Sequence, residues 1–251
     1  MHANRILERL AIGAALVLFV APATVLTSDV EPASATAGAP AVQWADVLGT
    51  PGAEARFWAT NVAVDDDGTI VVAAGEELIA YSPDGSSLWS NRIGADPRDV
   101  TIDAAGNVIV VGAINEPGTF GQGSQQTTLT PPKDPGNTYY DLVGFMAKYD
   151  SSGALTWAKL EGTYPTYPEA VTTADDGRIV TTGGMDGDYW DVILGSGSNE
   201  ITLTGEGAFV ATYSSGGTLQ DAFTVEWPFP SGVTVGREPR MIDLEFLPSG
   251  D

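Results

Sequence analysis

The chain has 251 residues, with 33 acidic side chains against 11 basic ones and a formal net charge of −22. This charge argues against a nucleic-acid partner or an anionic membrane surface, because phosphate recognition needs basic residues. The sequence contains no cysteine, which excludes disulfides, iron–sulfur clusters, cysteine nucleophiles and the usual structural zinc sites.

Residues 1–37 have the pattern of a secretory signal peptide and its cleavage region. Arg5 and Arg9 precede an apolar run over residues 10–26, and small residues follow it in the spacing of a cleavage site. Cleavage would remove His2, the single histidine, and with it any Ser-His-Asp triad or histidine metal site. We therefore expect a secreted or cell-surface protein that has no membrane contact after cleavage. The alternative is an uncleaved anchor, although the run is short for a membrane span.

The segment 38–49 predicts a lone strand around Trp44. Its sequence matches the last strand of the repeats that follow, including a glycine five residues after the tryptophan. In a closed ring of sheets, a strand from one terminus can complete the sheet that the other terminus begins, which removes exposed sheet edges. We expect this strand to have that role.

Two hairpin types alternate along the rest of the chain. The first pairs two apolar strands across an acidic or small turn that ends in glycine, at Gly68, Gly106 and Gly177. In the second type, a tyrosine precedes the turn glycine by four residues, and a tryptophan follows that glycine by four residues in two copies. The matched aromatic residues of the repeat, counting the lone strand, are Tyr81, Trp89, Tyr149, Trp157, Tyr213 and Trp44. We expect them to fill the space between neighbouring sheets.

Two hairpins per unit predict an all-β protein made of four-stranded antiparallel β-propeller blades, with few helices. The predicted blades are residues 50–94, 95–162 and 163–227, with a partial fourth at 232–251. The second and third units share a further stretch, residues 120–130 and 194–204, which the first unit lacks. Closed propellers have at least about four blades, so we expect an incomplete ring and an N-terminal fragment of a longer protein. The alternative is a chain that completes its ring by self-association.

The repeat units resemble the bacterial SBBP-type β-propeller repeat of exported and cell-surface proteins. The residues that carry the resemblance are the strand 145–149, the turn 150–153, Trp157 with its two following residues, and the turn 103–107. The resemblance extends over roughly residues 40–251 and is strongest in the second unit. It implies a propeller fold and an exported protein, and it brings no catalytic residues.

The acidic turns raise a metal hypothesis. Carboxylates at these turns suit Ca²⁺, which prefers oxygen ligands; they are Asp65, Asp66, Asp67, Asp175 and Asp176. The alternative is turn chemistry alone, since aspartate and glycine are the residues that hairpin turns favour. We expect no tightly bound cofactor, with weak Ca²⁺ binding as the open alternative.

A predicted loop between hairpins in the third unit combines acidic and aromatic side chains. Such loops often carry binding residues, and a sugar ring could stack on the aromatic ones. The candidate ligand-binding residues are Asp186, Asp188, Tyr189, Trp190 and Asp191. The alternative is a turn whose aromatic residues lie against the blade.

The leading functional hypothesis is a non-enzymatic, exported binding module whose partner is a protein or a glycan at the cell surface. The signal segment, the blade repeats and the missing histidine and cysteine support it. Two alternatives remain open. One is a carboxylate-based carbohydrate-active enzyme, since paired carboxylates can hydrolyse glycosidic bonds. The other is a structural segment of a larger multidomain surface protein.

Overall fold

The computed structural model describes residue 44 and the ranges 59–133, 140–163, 166–185, 191–205 and 207–225. These residues form sixteen β-strands and two short 3₁₀ turns. None of them belongs to a helix that is long and apolar enough to cross a membrane. The predicted signal segment and the predicted partial blade at 232–251 lie outside the described residues.

Three four-stranded antiparallel sheets follow one another along the chain. The first sheet consists of β1 (Ala59–Val64), β2 (Ile70–Ala74), β3 (Glu77–Tyr81) and β4 (Ser87–Arg92). The second consists of β5 (Asp96–Ile102), β6 (Val108–Ile114), β9 (Val143–Tyr149) and β10 (Leu155–Leu160). The third consists of β11 (Thr166–Thr173), β12 (Ile179–Met185), β15 (Gly207–Tyr213) and β16 (Leu219–Val225). This topology confirms the prediction of an all-β protein with four-stranded antiparallel blades.

The second and third sheets each carry a small inserted hairpin between their two middle strands. One pairs β7 (Gly118–Phe120) with β8 (Thr127–Leu129), and the other pairs β13 (Val192–Leu194) with β14 (Ile201–Leu203). A 3₁₀ turn lies inside each insert, at Gly123–Gln125 and Gly197–Asn199. The stretch that the second and third units share in sequence therefore has the same structure in both.

Aspartate and glycine close the tight turns by two kinds of hydrogen bond. In the turn from β5 to β6, the amide of Gly106 donates to the carbonyl of Asp103 over 2.8 Å. The Asp103 carboxylate accepts the amides of Ala105 at 3.0 Å and Asn107 at 2.9 Å. Asp65 and Asp150 accept amides two and four residues ahead in the same way. The aspartate side chain thus stabilises the turn by hydrogen bonds to its own backbone, without a bound ligand.

The two ends of the sheets differ. The turn face, where each sheet makes its two tight turns, carries the links β1–β2, β3–β4, β5–β6, β9–β10, β11–β12 and β15–β16. The opposite end, the insert face, carries both inserted hairpins and the connections between successive sheets. Differences in length between the repeats are therefore confined to the insert face.

Two apolar clusters fill the spaces between neighbouring sheets. The first joins the first and second sheets around side chains such as Val71, Val110 and Phe145, and the Phe120 and Phe145 ring centroids lie 5.0 Å apart. The second cluster joins the second and third sheets around side chains such as Ile109 and Phe209. The middle sheet is thus apolar on both of its faces, as the buried pattern of all seven β6 residues requires.

The first strand of each sheet is an inner strand with a bulge at matching positions. The strand register shifts between Ala59 and Asn61, between Pro97 and Asp99, and between Pro168 and Ala170. The buried Asp99 carboxylate lies where the three inner strands meet. It accepts a hydrogen bond from the Asn61 amide of the first sheet and one from the Val171 backbone amide of the third, the latter over 2.7 Å. One side chain therefore connects all three sheets.

Candidate functional site

A tryptophan on the last strand of one sheet contacts a turn of the next sheet, namely the turn that links that sheet's last two strands. The Trp89 ring lies against Gly153, where an added Cβ would be 2.7 Å from the ring and where φ is +83°. The Trp89 Nε1 donates to the Ser151 carbonyl over 3.1 Å. Two residues on, the Asn91 Nδ2 donates to the Gly153 carbonyl over 2.8 Å. We call this arrangement the tryptophan latch.

The latch repeats between the second and third sheets with different polar groups. Trp157 lies against Gly217, but its buried Nε1 has no hydrogen-bond partner. Lys159 replaces Asn91: its Nζ donates to the Gly217 carbonyl over 2.6 Å and lies 4.6 Å from the centre of the Trp157 ring. Burial lowers the pKa of Lys159. The second latch therefore depends on a half-buried cation where the first uses a neutral amide.

Trp44 makes the same contact with the first sheet. Its ring lies against Gly85 and 5.5 Å from the Tyr81 ring centre, and its Nε1 donates to the Pro83 carbonyl over 3.2 Å. The predicted strand around Trp44 is outside the described residues. Tyr149 and Tyr213, which match Tyr81 in the repeat, are buried in the two apolar clusters. The tyrosines and the tryptophan of the second type of hairpin in the later units thus pack between neighbouring sheets. Trp44 and Tyr81 instead pack together in a separate cluster on the first sheet.

The acidic residues of the metal hypothesis lie on the turn face. Asp65 holds its own turn through the amides of Asp67 and Thr69, and Asp176 pairs with Arg178 at 2.7 Å. The remaining side chains, Asp66, Asp67 and Asp175, are exposed. Among the described residues, no three carboxylate, histidine or cysteine side chains form a cluster that could hold a metal ion. The contacts of Asp65 and Asp176 are those of turn chemistry.

The predicted ligand loop lies on the insert face. Asp191 is exposed and immediately precedes β13. The other four candidates, Asp186, Asp188, Tyr189 and Trp190, are outside the described residues. The hypothesis of sugar stacking on this loop stays a prediction.

A groove crosses the insert face at the junction of the first and second sheets. It consists of two adjoining depressions of about 460 and 580 Å³ that share Glu76, Gly94 and Glu116. The backbone forms part of its floor: an added Cβ on Gly94 would lie 2.8 Å from the Thr119 amide nitrogen. We call this feature the junction groove. Its charged and amide side chains include Glu76, Arg92, Asp96, Arg98, Glu116 and Gln122.

Internal ion pairs neutralise most of the charge in the junction groove. The Arg92 and Glu76 side chains pair at 2.8 Å on the exposed rim. Arg98, on the β5 bulge, lies 2.7 Å from Glu169 of the third sheet and 3.5 Å from Asp96. Glu116 has no ion-pair partner among the described residues. The groove is therefore a polar surface with one free carboxylate, held in shape by its own ion pairs.

A buried ion pair on the second sheet lies away from this groove. Lys148 on β9 pairs with Asp103 at 2.7 Å, and both side chains are more than nine-tenths buried. Burial opposes ionisation of Asp103, but hydrogen bonds from Lys148 and Asn107 outweigh it and lower the pKa of the carboxyl. Since both partners are satisfied within the sheet, this pair anchors a turn.

Glu161 is the one fully buried carboxyl that faces a neighbouring sheet without a cation partner in the described part of the chain. It follows β10 directly and is 1 % exposed. Thr181 and Tyr213 donate hydrogen bonds to its Oε1, the latter over 2.8 Å, and its Oε2 has no partner. Burial raises the pKa of Glu161 to about 7, against the lowering effect of the two hydroxyl groups. Burial, together with the Glu161 charge, raises the pKa of Tyr213 as well.

Sequence reasoning missed the junction groove, the Asp99 connection and the buried Glu161. The groove and the Asp99 connection depend on strand register and on how sheets meet, which spacing alone does not define. Glu161 left a detectable signal. It stands four residues after Trp157, whereas the residue four after Trp89 is Ile93, so the repeat places a carboxyl at an apolar position.

The fold defines a class: an all-β protein built from successive four-stranded antiparallel sheets, consistent with propeller-like blades. No family model matches the chain, and none of the curated proteins matches it. Among solved structures, it is similar to a protein of unknown function from Bacteroides caccae. The two share 13 % sequence identity over 68 % of this chain and 83 % of the other, with a TM-score of 0.32.

Proposed function

We propose that the protein is an exported β-propeller-repeat module of the SBBP type, and that it binds a protein or a glycan at the cell surface through the junction groove. The observation that carries this proposal is the groove itself, which lies on the insert face where the repeats differ in length. Loops and connections on a constant scaffold are the usual position of binding residues. The signal-like segment 1–37 supports export.

The character of the groove favours binding over catalysis. Two of its three carboxylates, Glu76 and Asp96, are next to arginine side chains. A polar rim over a backbone floor suits a ligand that is recognised by hydrogen bonds. The net charge of −22 favours a neutral or cationic partner.

Binding arrays that present defined glycans and defined peptides test this proposal. We expect a specific ligand whose binding falls at least about tenfold when Glu116→Lys reverses the free carboxylate of the groove. Asp66→Lys is the matched control, because Asp66 is also an exposed carboxylate but lies on the turn face. The opposite pattern, in which only the control weakens binding, would place the binding surface elsewhere and contradict the proposal.

Chromogenic glycosides separate the binding module from the alternative enzyme. A binding module releases no chromophore above the uncatalysed rate. Turnover that is abolished by Glu116→Gln or Glu76→Gln would overturn the proposal in favour of a carbohydrate-active enzyme.

A further inference from the structure

The two sheet junctions place different residues at one structural position. Ile93 and Glu161 each follow the outer strand of their sheet and lie four residues after a latch tryptophan. The Ile93 amide donates to the Glu76 carbonyl over 2.6 Å, and the Glu161 amide donates to the Gly144 carbonyl over 2.7 Å. The backbone hydrogen bond is therefore the same at both junctions, and the junctions differ in the side chain at this position.

The surroundings of these two side chains also correspond. Tyr149 and Tyr213 are equivalent in the repeat, and both are buried. At the first junction Ile93 belongs to the apolar cluster that contains Tyr149 and Val110. At the second junction the residue equivalent to Val110 is Thr181, whose hydroxyl donates to the Glu161 carboxyl. The second junction therefore has two polar residues in contact, Glu161 and Thr181, at the positions where the first junction has two apolar ones.

Within the part of the chain that the structure describes, Glu161 forms no ion pair, and its carboxyl is bound by two hydroxyl groups. From the third sheet the titratable group that contacts it is Tyr213. On its own strand, Lys159 is bound to the carbonyls of Gly216 and Gly217. On the adjacent β9, Lys148 pairs with Asp103. Both lysines are therefore engaged with other partners.

We propose that Glu161 makes the second junction a proton-sensitive contact: the second and third sheets stay packed while its carboxyl is protonated and separate more readily once it ionises. An ionised carboxylate without a cation is costly to bury, whereas a solvated one is not. Opening the junction hydrates Glu161 and lets the proton leave. The first junction, closed by Ile93, lacks this sensitivity. The pKa of about 7 for buried Glu161 places the response in the mildly acidic to neutral range.

Amide hydrogen exchange on the full chain measures the opening of each junction separately. The reporters are the Glu161 amide at the second junction and the Ile93 amide at the first, both of which are hydrogen-bonded to backbone carbonyls. After correction for the intrinsic exchange rate, we expect the opening constant at Glu161 to rise by up to about tenfold per pH unit between pH 4.5 and 7. In Glu161→Gln that rise should disappear, because glutamine keeps the acceptor oxygen and cannot ionise.

The Ile93 amide is the internal control, and its opening constant should follow the same pH course in both proteins. An equal rise at both amides, or a rise that persists in Glu161→Gln, would overturn the proposal. A titration of the wild-type chain with ¹³C-labelled glutamate carboxyls needs no variant. One carboxyl resonance titrating near pH 7 is expected. If every glutamate titrates near its ordinary value, Glu161 is not the sensor.

Discussion

The first and second sheet junctions share a backbone and differ in chemistry. The first is closed by Ile93 and by a latch in which Trp89 and Asn91 both donate hydrogen bonds across the gap. The second is closed by the carboxyl of Glu161 and by Trp157, whose indole nitrogen has no partner. The first is therefore an apolar contact whose two latch donors are both satisfied, and the second combines a buried carboxyl with a latch nitrogen that has no partner.

A repeat can therefore keep its backbone geometry while individual residues set the stability of each junction. In stacked repeats, stability is approximately a sum of unit and neighbour terms. A single substitution at one junction therefore changes that junction without distorting the next. We expect the second junction to be the weaker of the two at neutral pH, and four measurements test that expectation.

The largest effect should follow from giving the first junction the chemistry of the second. Ile93→Glu buries a carboxyl in the apolar cluster that contains Val110 and Tyr149, so we expect it to lower the free energy of unfolding by about 3–5 kcal/mol at pH 8. At pH 5 the carboxyl is protonated and the loss should be smaller. Urea unfolding at the two pH values measures it. Ile93→Gln is the control and should show no such pH difference; equal losses at both pH values in Ile93→Glu would contradict the prediction.

The second effect is the pH dependence that Glu161 gives to the whole protein. Its folded-state pKa of about 7 exceeds the ordinary glutamate value of 4.5, so the folded state binds this proton more tightly than the unfolded state does. The stabilisation is complete below pH 4.5 and is lost as the pH rises through about 7. It amounts to about 3 kcal/mol in total.

The measurement is the difference in unfolding free energy between the wild-type chain and Glu161→Gln across pH 4–8. Subtraction removes the repulsion among the other acidic side chains, which the two proteins share. The difference should move in favour of the variant as the pH rises. A difference that stays constant with pH would mean that folding does not raise the pKa of Glu161.

The third effect compares the two latches by the same substitution. Trp89→Phe removes both ring area and the hydrogen bond to the Ser151 carbonyl, whereas Trp157→Phe removes ring area and a nitrogen that has no partner. We expect Trp89→Phe to be the more destabilising of the pair by about 1 kcal/mol. Paired denaturant titrations give this difference directly. Equal losses would indicate that the indole hydrogen bond contributes nothing net.

The smallest effect on stability is expected at the rim of the junction groove, which lies at the first junction. Arg92 is 79 % exposed and its pair with Glu76 is a surface contact, so Arg92→Gln should leave the midpoint of thermal unfolding unchanged. Any change in ligand binding by this variant would then report on the groove alone. A clear fall in the unfolding midpoint would show that the pair also stabilises the first sheet, within which both residues lie.

Regular spacing made most of the fold predictable. A turn glycine followed four residues later by tryptophan defines a hairpin. Glycine at positive φ is required where the latch ring of the preceding sheet approaches the turn, as Trp89 does at Gly153. The bulges at Thr60, Arg98 and Glu169 were not predictable, because alternation continues on both sides of an inserted residue. They are nonetheless what brings Arg98 to Glu169 across two sheets.

The candidate site was less predictable than the fold. The composition pointed to the acidic turns as a candidate metal site. The Asp65 carboxylate, however, accepts hydrogen bonds from backbone amides of its own turn. The groove is made largely of backbone and of residues that are unremarkable in sequence, such as Gly94 and Gln122. Its shape comes from the packing of an inserted hairpin on the preceding sheet, which no local pattern encodes.

The direction of the tryptophan latch has a consequence for how the chain folds. Each four-stranded sheet is built from one continuous stretch of sequence, so its contacts are local and can form early. A latch tryptophan, however, belongs to one sheet and contacts a turn that is made later in the chain, as Trp89 does with Ser151. Sheets should therefore form independently and then lock in chain order during synthesis, each newly made turn securing the sheet before it.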